Sequence, residues 1–185
     1  MAHESDGVYY RWSYLWEQKK YGQIFRSIPF RSFTAYEDAP WWFPGFYEDI
    51  YEWFPDAKFI LMQRDSDAWF RSLVSLKGGK TPGNTRRHCM IYDRMEEFNE
   101  RLETDPSFIP SENQKDGLMR LDHMHDHYVK IYETYNRNVI DFFEKSSPDS
   151  LITTRLEDPD KWKVMGKFLG LQIDEEYDVH ANKTG

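Results

Sequence analysis

Apolar positions along the chain follow helical spacing in some stretches and strand-like runs in others. Leu121, Met124, Tyr128, Ile131, Tyr135, Val139 and Phe142 step by three and four residues, which is one buried face of a helix; the pattern predicts a long helix over about 115–145. The same spacing predicts shorter helices over about 45–54 (Phe46, Ile50, Trp53) and 86–103 (Ile91, Met95, Phe98, Leu102), the second ended by Asp105-Pro106. The continuous run at 58–62 reads as a strand covered on both faces, and 151–154 as another after the Ser147-Pro148-Asp149 turn. Residues 28–36 alternate weakly and predict a strand ending in the acidic turn Glu37-Asp38. The aromatic stretch 8–16 predicts a helix continuing to about Lys20, its rings more typical of core than of a ligand platform. Pro40 and Pro44 bracket Trp41, Trp42 and Phe43 in a segment predicted extended. Near the C-terminus, Asp158 as cap, Pro159 at the first position and Gly170 at the end frame a helix with Trp162, Met165, Phe168 and Leu169 on its core side.

The stretch from Phe54 to Leu73 combines these signals. Pro55 and Asp56 precede the strand, Asp65 or Ser66 can cap the following helix, and Asp67 adds an acid to its positive first turn. Trp69, Phe70, Leu73 and Val74 give that helix an apolar face. A strand–turn–helix of this kind places Arg64 at the strand's carboxyl end, where open α/β sheets hold ligands. The class implied is α/β, a short, mostly parallel sheet flanked by helices. Arg64 is thus a fixed cation at the mouth of this element, with Ser72 eight positions on in the helix's second turn. The alternative is an Arg64 paired with Asp65 or Asp67 and a Ser72 on a solvated face. Asp38 sits in the turn before Pro40, where an aspartate commonly bonds its own backbone.

Composition narrows the field. At 185 residues the chain predicts a single domain over 1–185, and 30% charged residues with 17% aromatics argue for a folded one. A net charge of −8 speaks against nucleic-acid binding, while leaving room for a local anion pocket. The single cysteine, Cys89, suits a reducing compartment; no run nears the roughly 20 apolar residues of a membrane span, and MAHESDG is unlike a signal peptide. A cytoplasmic protein without membrane partners is expected. Gly79-Lys80-Thr81 imitates the end of a Walker A loop, but Val74 stands where that loop needs glycine and Pro82 follows, so 77–84 is read as a basic loop. His123 and His127 would share a helical face, yet lack a third ligand, and no metal is expected. His88 is read as a surface histidine.

The string FPDAKFILMQRDSDAWFRS (54–72) resembles the P-loop sulfotransferase superfamily, especially its divergent "sulfotransferase family protein" branch. Tyr132, Tyr135, Asn136, Val139 and Phe142-Phe143 resemble that family's long helix, with Tyr135 where members often carry His. LEDPDKWKVMGKFLGL (156–171) and His180 to Gly185 are similar to its closing phrases, with Val179 for the usual Pro. The likeness covers roughly 30–76 and 128–185. It implies a P-loop-like fold and sulfuryl transfer from 3′-phosphoadenosine-5′-phosphosulfate to a hydroxyl or amine on a small-molecule or glycan acceptor, without a metal. Arg64 and Ser72 would hold the 3′-phosphate, Asp38 would be the acceptor-side base, and Lys183 a donor-side cation. The family's Gly-rich phosphosulfate loop has no counterpart before Arg64, since residues 1–30 hold only Gly7 and Gly22. About three parallel strands with an uncovered edge are therefore expected. The chain would then be N-terminally incomplete, or complete its sheet from a partner in an oligomer, or be an inactive remnant that binds nucleotide or serves as an interaction domain. Without a Walker loop, a nucleoside kinase is the weakest reading.

Overall fold

The computed structural model describes residues 11–76, 78–110, 118–174 and 177. The chain divides into two compact units, one ending at Ala57 and one beginning at Lys58.

The first unit is helical: α1 (Trp12–Glu17), α2 (Tyr21–Phe25), α3 (Ile28–Arg31) and α4 (Phe46–Trp53). Its core is aromatic. Phe25 lies 5.1–5.9 Å, centroid to centroid, from Phe30, Phe46, Trp53 and Phe54, and Trp41 packs between Trp12 and Tyr36. Trp12, Ile24, Phe43 and Phe46 are fully buried, and each large ring removes about 150–250 Å² from water. The strand predicted at 28–36 is instead a helical turn followed by irregular chain. Ser27 caps α3, its Oγ accepting from Phe30 N at 3.2 Å, and a proline sits in its first turn. Pro29 lacks the N–H that a ladder needs but suits a helix start, so cap and proline outweigh the weak alternation. The segment predicted extended around Trp41 is a succession of turns, with Trp41 N donating to Asp38 O and Phe43 N to Pro40 O. Asp38 initiates it from a left-handed conformation (φ 65°), which Asp tolerates better than most residues.

The second unit contains β1 (Phe59–Gln63) and β2 (Leu151–Arg155), paired in parallel with Phe59 opposite Leu151 and Gln63 opposite Arg155. Between them run α5 (Ser66–Leu76), α6 (Thr85–Ile91), α7 (Met95–Thr104) and α8 (His125–Ser146), and α9 (Lys161–Leu169) follows. Among the described residues the sheet has two strands, not three. Nor is β1 covered on both faces: Phe59 packs on Phe143 of α8, while Ile60 and Met62 on the other face are each 37% exposed. A run without polar interruptions carries no mark of its open side.

Other boundaries also moved. The single helix predicted over 86–103 is broken between α6 and α7, where Asp93 is left-handed (φ 50°) and the Arg94 side chain turns inward. The long helix starts at His125, not near 115. Its expected core residue Leu121 is buried, but from an extended segment whose N–H donates to Gly79 O. There Thr81 N donates to Met119 O, and Thr81 Oγ1 accepts from Met119 N. The Walker-like tripeptide is thus a structural pairing, with Thr81 1% exposed. Helix α9 begins two residues later than predicted because Asp158 Oδ1 caps Asp160 N instead of the helix itself; Leu169 is exposed. Gly170 closes it at φ 69°, as expected, with Leu171 N returning to Gly166 O. No helix among the described residues is long and apolar enough to cross a membrane.

Candidate functional site

The turn from β1 into α5 is tied down residue by residue. Gln63 O accepts from Leu156 N at 2.8 Å, extending the strand pairing past β2. Arg64 N then donates to Tyr132 Oη at 2.8 Å, and Tyr132 Oη in turn donates to Arg64 O at 3.3 Å. Asp65 Oδ1 caps α5 by accepting from Ala68 N at 2.9 Å. Ser66 Oγ donates to Glu133 Oε1 at 2.8 Å. Tyr132 is itself held by Trp69, the rings stacked 4.4 Å apart.

Arg64 therefore leaves a well-anchored backbone. Its Nε donates to Glu157 Oε1 at 3.2 Å, with the Arg64 side chain 36% exposed, and neither terminal nitrogen has a partner among the described residues. The two terminal nitrogens are the fork that binds an oxyanion bidentately. Neither alternative acid pairs with it: Asp65 caps the helix, and Asp67 accepts from His125. An ion pair as exposed as Arg64–Glu157 contributes at most about 1 kcal/mol, so the carboxylate orients the guanidinium without locking it. Ser72 lies on α5, exposed, about 9 Å along the helix axis from Ser66. Strand end and helix thus carry Arg64 and Ser72 on one continuous element. Asp38 belongs to the first unit, exposed in its left-handed turn, its carbonyl engaged by Trp41 N. Lys183 lies outside the described residues.

The histidines differ from expectation. His88, read as a surface residue, is buried on α6 with Nε2 2.8 Å from Tyr128 Oη. Tyr128 Oη accepts from Arg94 at 3.0 Å while sharing its other hydrogen bond with His88 Nε2. Burial, then the Arg94 charge, pushes the His88 pKa down to about 3. Arg94 is 3% exposed and also donates to Arg120 O and to Glu97. This network is fully committed to packing α6, α7 and α8. The shared helical face of His123 and His127 does not form, because α8 starts at His125; His127 Nε2 donates to Tyr92 O at 2.7 Å. His125 joins the starts of α5 and α8: Nδ1 lies 2.8 Å from Asp126 and Nε2 2.9 Å from Asp67. Those bonds, Asp126 first and Asp67 second, raise its pKa and favour the imidazolium. A group with both nitrogens donating has no lone pair to act as a base or metal ligand. Among the described residues no three His, Cys, Asp or Glu side chains converge as metal ligands.

Tyr132, Glu133 and Glu157 were not singled out as site residues by the sequence. Tyr132 and Glu157 lie inside the family-like phrases, but contacts spanning 68 and 93 positions leave no local trace.

No curated protein matches the chain. A family model described as a sulfotransferase domain matches residues 3–185, which include the β1–α5 turn, α8 and the β2–α9 segment. With the match running through both units, the chain belongs to the sulfotransferase-domain family.

Proposed function

We propose that this protein transfers a sulfuryl group from 3′-phosphoadenosine-5′-phosphosulfate to a hydroxyl or amine of a small-molecule or glycan acceptor, on a P-loop-like α/β framework, with Arg64 and Ser72 holding the 3′-phosphate. The observation that carries the proposal is Arg64: a cation at the carboxyl end of a parallel strand, its backbone anchored, its Nε oriented by Glu157 and its terminal nitrogens without a partner among the described residues. Such a group offers a doubly charged phosphate two parallel charge-assisted bonds in a fixed direction. Ser72 adds an exposed hydroxyl from α5 that has no partner among the described residues. The donor supplies the activated sulfur–oxygen bond; the protein's part is positioning and charge neutralisation. In the transfer, the acceptor heteroatom bonds to sulfur as the phosphate oxygen leaves as adenosine 3′,5′-bisphosphate. Asp38 is assigned to take the acceptor proton. The buried free thiol of Cys89, its pKa pushed up to about 11 by burial, suits a reducing, cytoplasmic setting.

Calorimetric titration with adenosine 3′,5′-bisphosphate tests the phosphate site. The wild type should bind with a preference over ATP, and Arg64→Ala should lose at least tenfold, about 1.4 kcal/mol or more. Absence of wild-type binding, or Arg64→Ala binding as tightly as wild type, overturns the assignment.

A further inference from the structure

The Tyr132 hydroxyl closes on both backbone groups of one residue, accepting from Arg64 N and donating to Arg64 O. Pairing of β1 with β2 stops at Gln63↔Arg155, and the last backbone bond beyond it is Leu156 N to Gln63 O. Arg64 is the first residue past this ladder, and among the described residues its N–H and C=O have no strand neighbour to satisfy them. The phenol takes the neighbour's place. Its ring is fixed by stacking on Trp69, which leaves the same β1–α5 segment five residues after Arg64. One residue further along α8, Glu133 accepts from Ser66 Oγ. Consecutive side chains of α8 therefore splint both sides of Asp65.

We infer that Tyr132 is the positioning residue of the Arg64 anion site. It acts through Arg64: by fixing that residue's φ and ψ, it holds the guanidinium where Glu157 can orient it and where the terminal nitrogens face the ligand. The inference rests on the anion-site reading above and deepens it. A strand-end arginine free to rotate its backbone would lose orientation entropy on every binding event; one held at N and O has already lost it.

Tyr132→Phe keeps the ring stacked on Trp69 and removes only the hydroxyl. Two measurements on the full chain, taken well below its melting temperature, read the outcome. Amide hydrogen exchange at Arg64 should accelerate by about tenfold, the loss of one hydrogen bond of ordinary strength. Calorimetric affinity for adenosine 3′,5′-bisphosphate should fall by about fivefold, less than with Arg64→Ala. Glu133→Gln, which keeps an oxygen acceptor for Ser66 Oγ, should leave affinity within about twofold. Wild-type affinity in Tyr132→Phe overturns this inference while leaving the anion site standing, because Tyr132 would then serve stability alone. Unchanged exchange at Arg64 overturns it as well. No binding by the wild type overturns the anion site and this inference together.

Discussion

Buried and neutral, His88 makes the packing of α6 against α8 sensitive to acid. Its folded pKa is about 3, lowered by burial and by Arg94, against an ordinary value of 6.5. Between those values the unfolded chain binds a proton that the folded one refuses, so stability is full above about pH 6.5 and declines as pH falls. Linkage gives the size: from pH 7.5 to 5.0 this one group removes about 2 kcal/mol. The figure depends little on the folded pKa, because at pH 5.0 the folded His88 is unprotonated for any value below about 4. The assay is urea unfolding at both pH values for the wild type and for His88→Gln, whose amide can still hydrogen-bond Tyr128. The remaining histidines and the carboxylates are common to both proteins and cancel in the comparison. The wild type should lose about 2 kcal/mol more than the variant over this interval. Equal losses in the two proteins would refute the burial of a neutral imidazole.

Three further outcomes are expected. Gly166→Ala should lower stability by about 1–3 kcal/mol in thermal or denaturant melts, since a Cβ there would collide with Ile173 Cγ1 and crowd the Leu171 carbonyl. Arg94→Met should cost about 3 kcal/mol, because buried Tyr128 and the Arg120 carbonyl lose a donor and half-exposed Glu97 loses its ion pair; a loss below about 1 kcal/mol would contradict the network. His125 should titrate above 6.5 in a proton NMR series, and Asp67→Asn should move it down. Since its folded pKa is raised, its contribution is fully present below pH 6.5 and fades as pH rises through the folded value.

Much of this was legible where chemistry is local. The β1–α5 turn, the Asp65 cap, helix α4, strand β2 and the Gly170 stop rest on capping, spacing and turn residues within a few positions of one another. Misreadings came where distant groups decide. His88 sits in a helix start that looks polar from its neighbours, and only Tyr128, 40 residues away, makes it a core residue. Likewise the break before α7 is set by Arg94 turning toward Tyr128 and the Arg120 carbonyl. At 28–36 the error was of another kind, a faint period of two preferred over Ser27 and Pro29. Of the candidate site, the sequence held Arg64 and Ser72 as a phrase but concealed that Asp65 and Asp67 are occupied elsewhere and that Glu157 is the partner.

The sheet joins chain segments far apart: Lys58 at its start already reaches the carbonyl of Asp149, 91 residues on. Closing a loop of that length costs on the order of 4 kcal/mol before any contact is gained, and two parallel strands alone are marginal. Non-local pairing of this kind is expected to form late, once α5 and α8 have brought the strands within reach. On that expectation the strand end that carries Arg64 is among the last places to become ordered, and an anion bound there would report on, and reinforce, completion of folding.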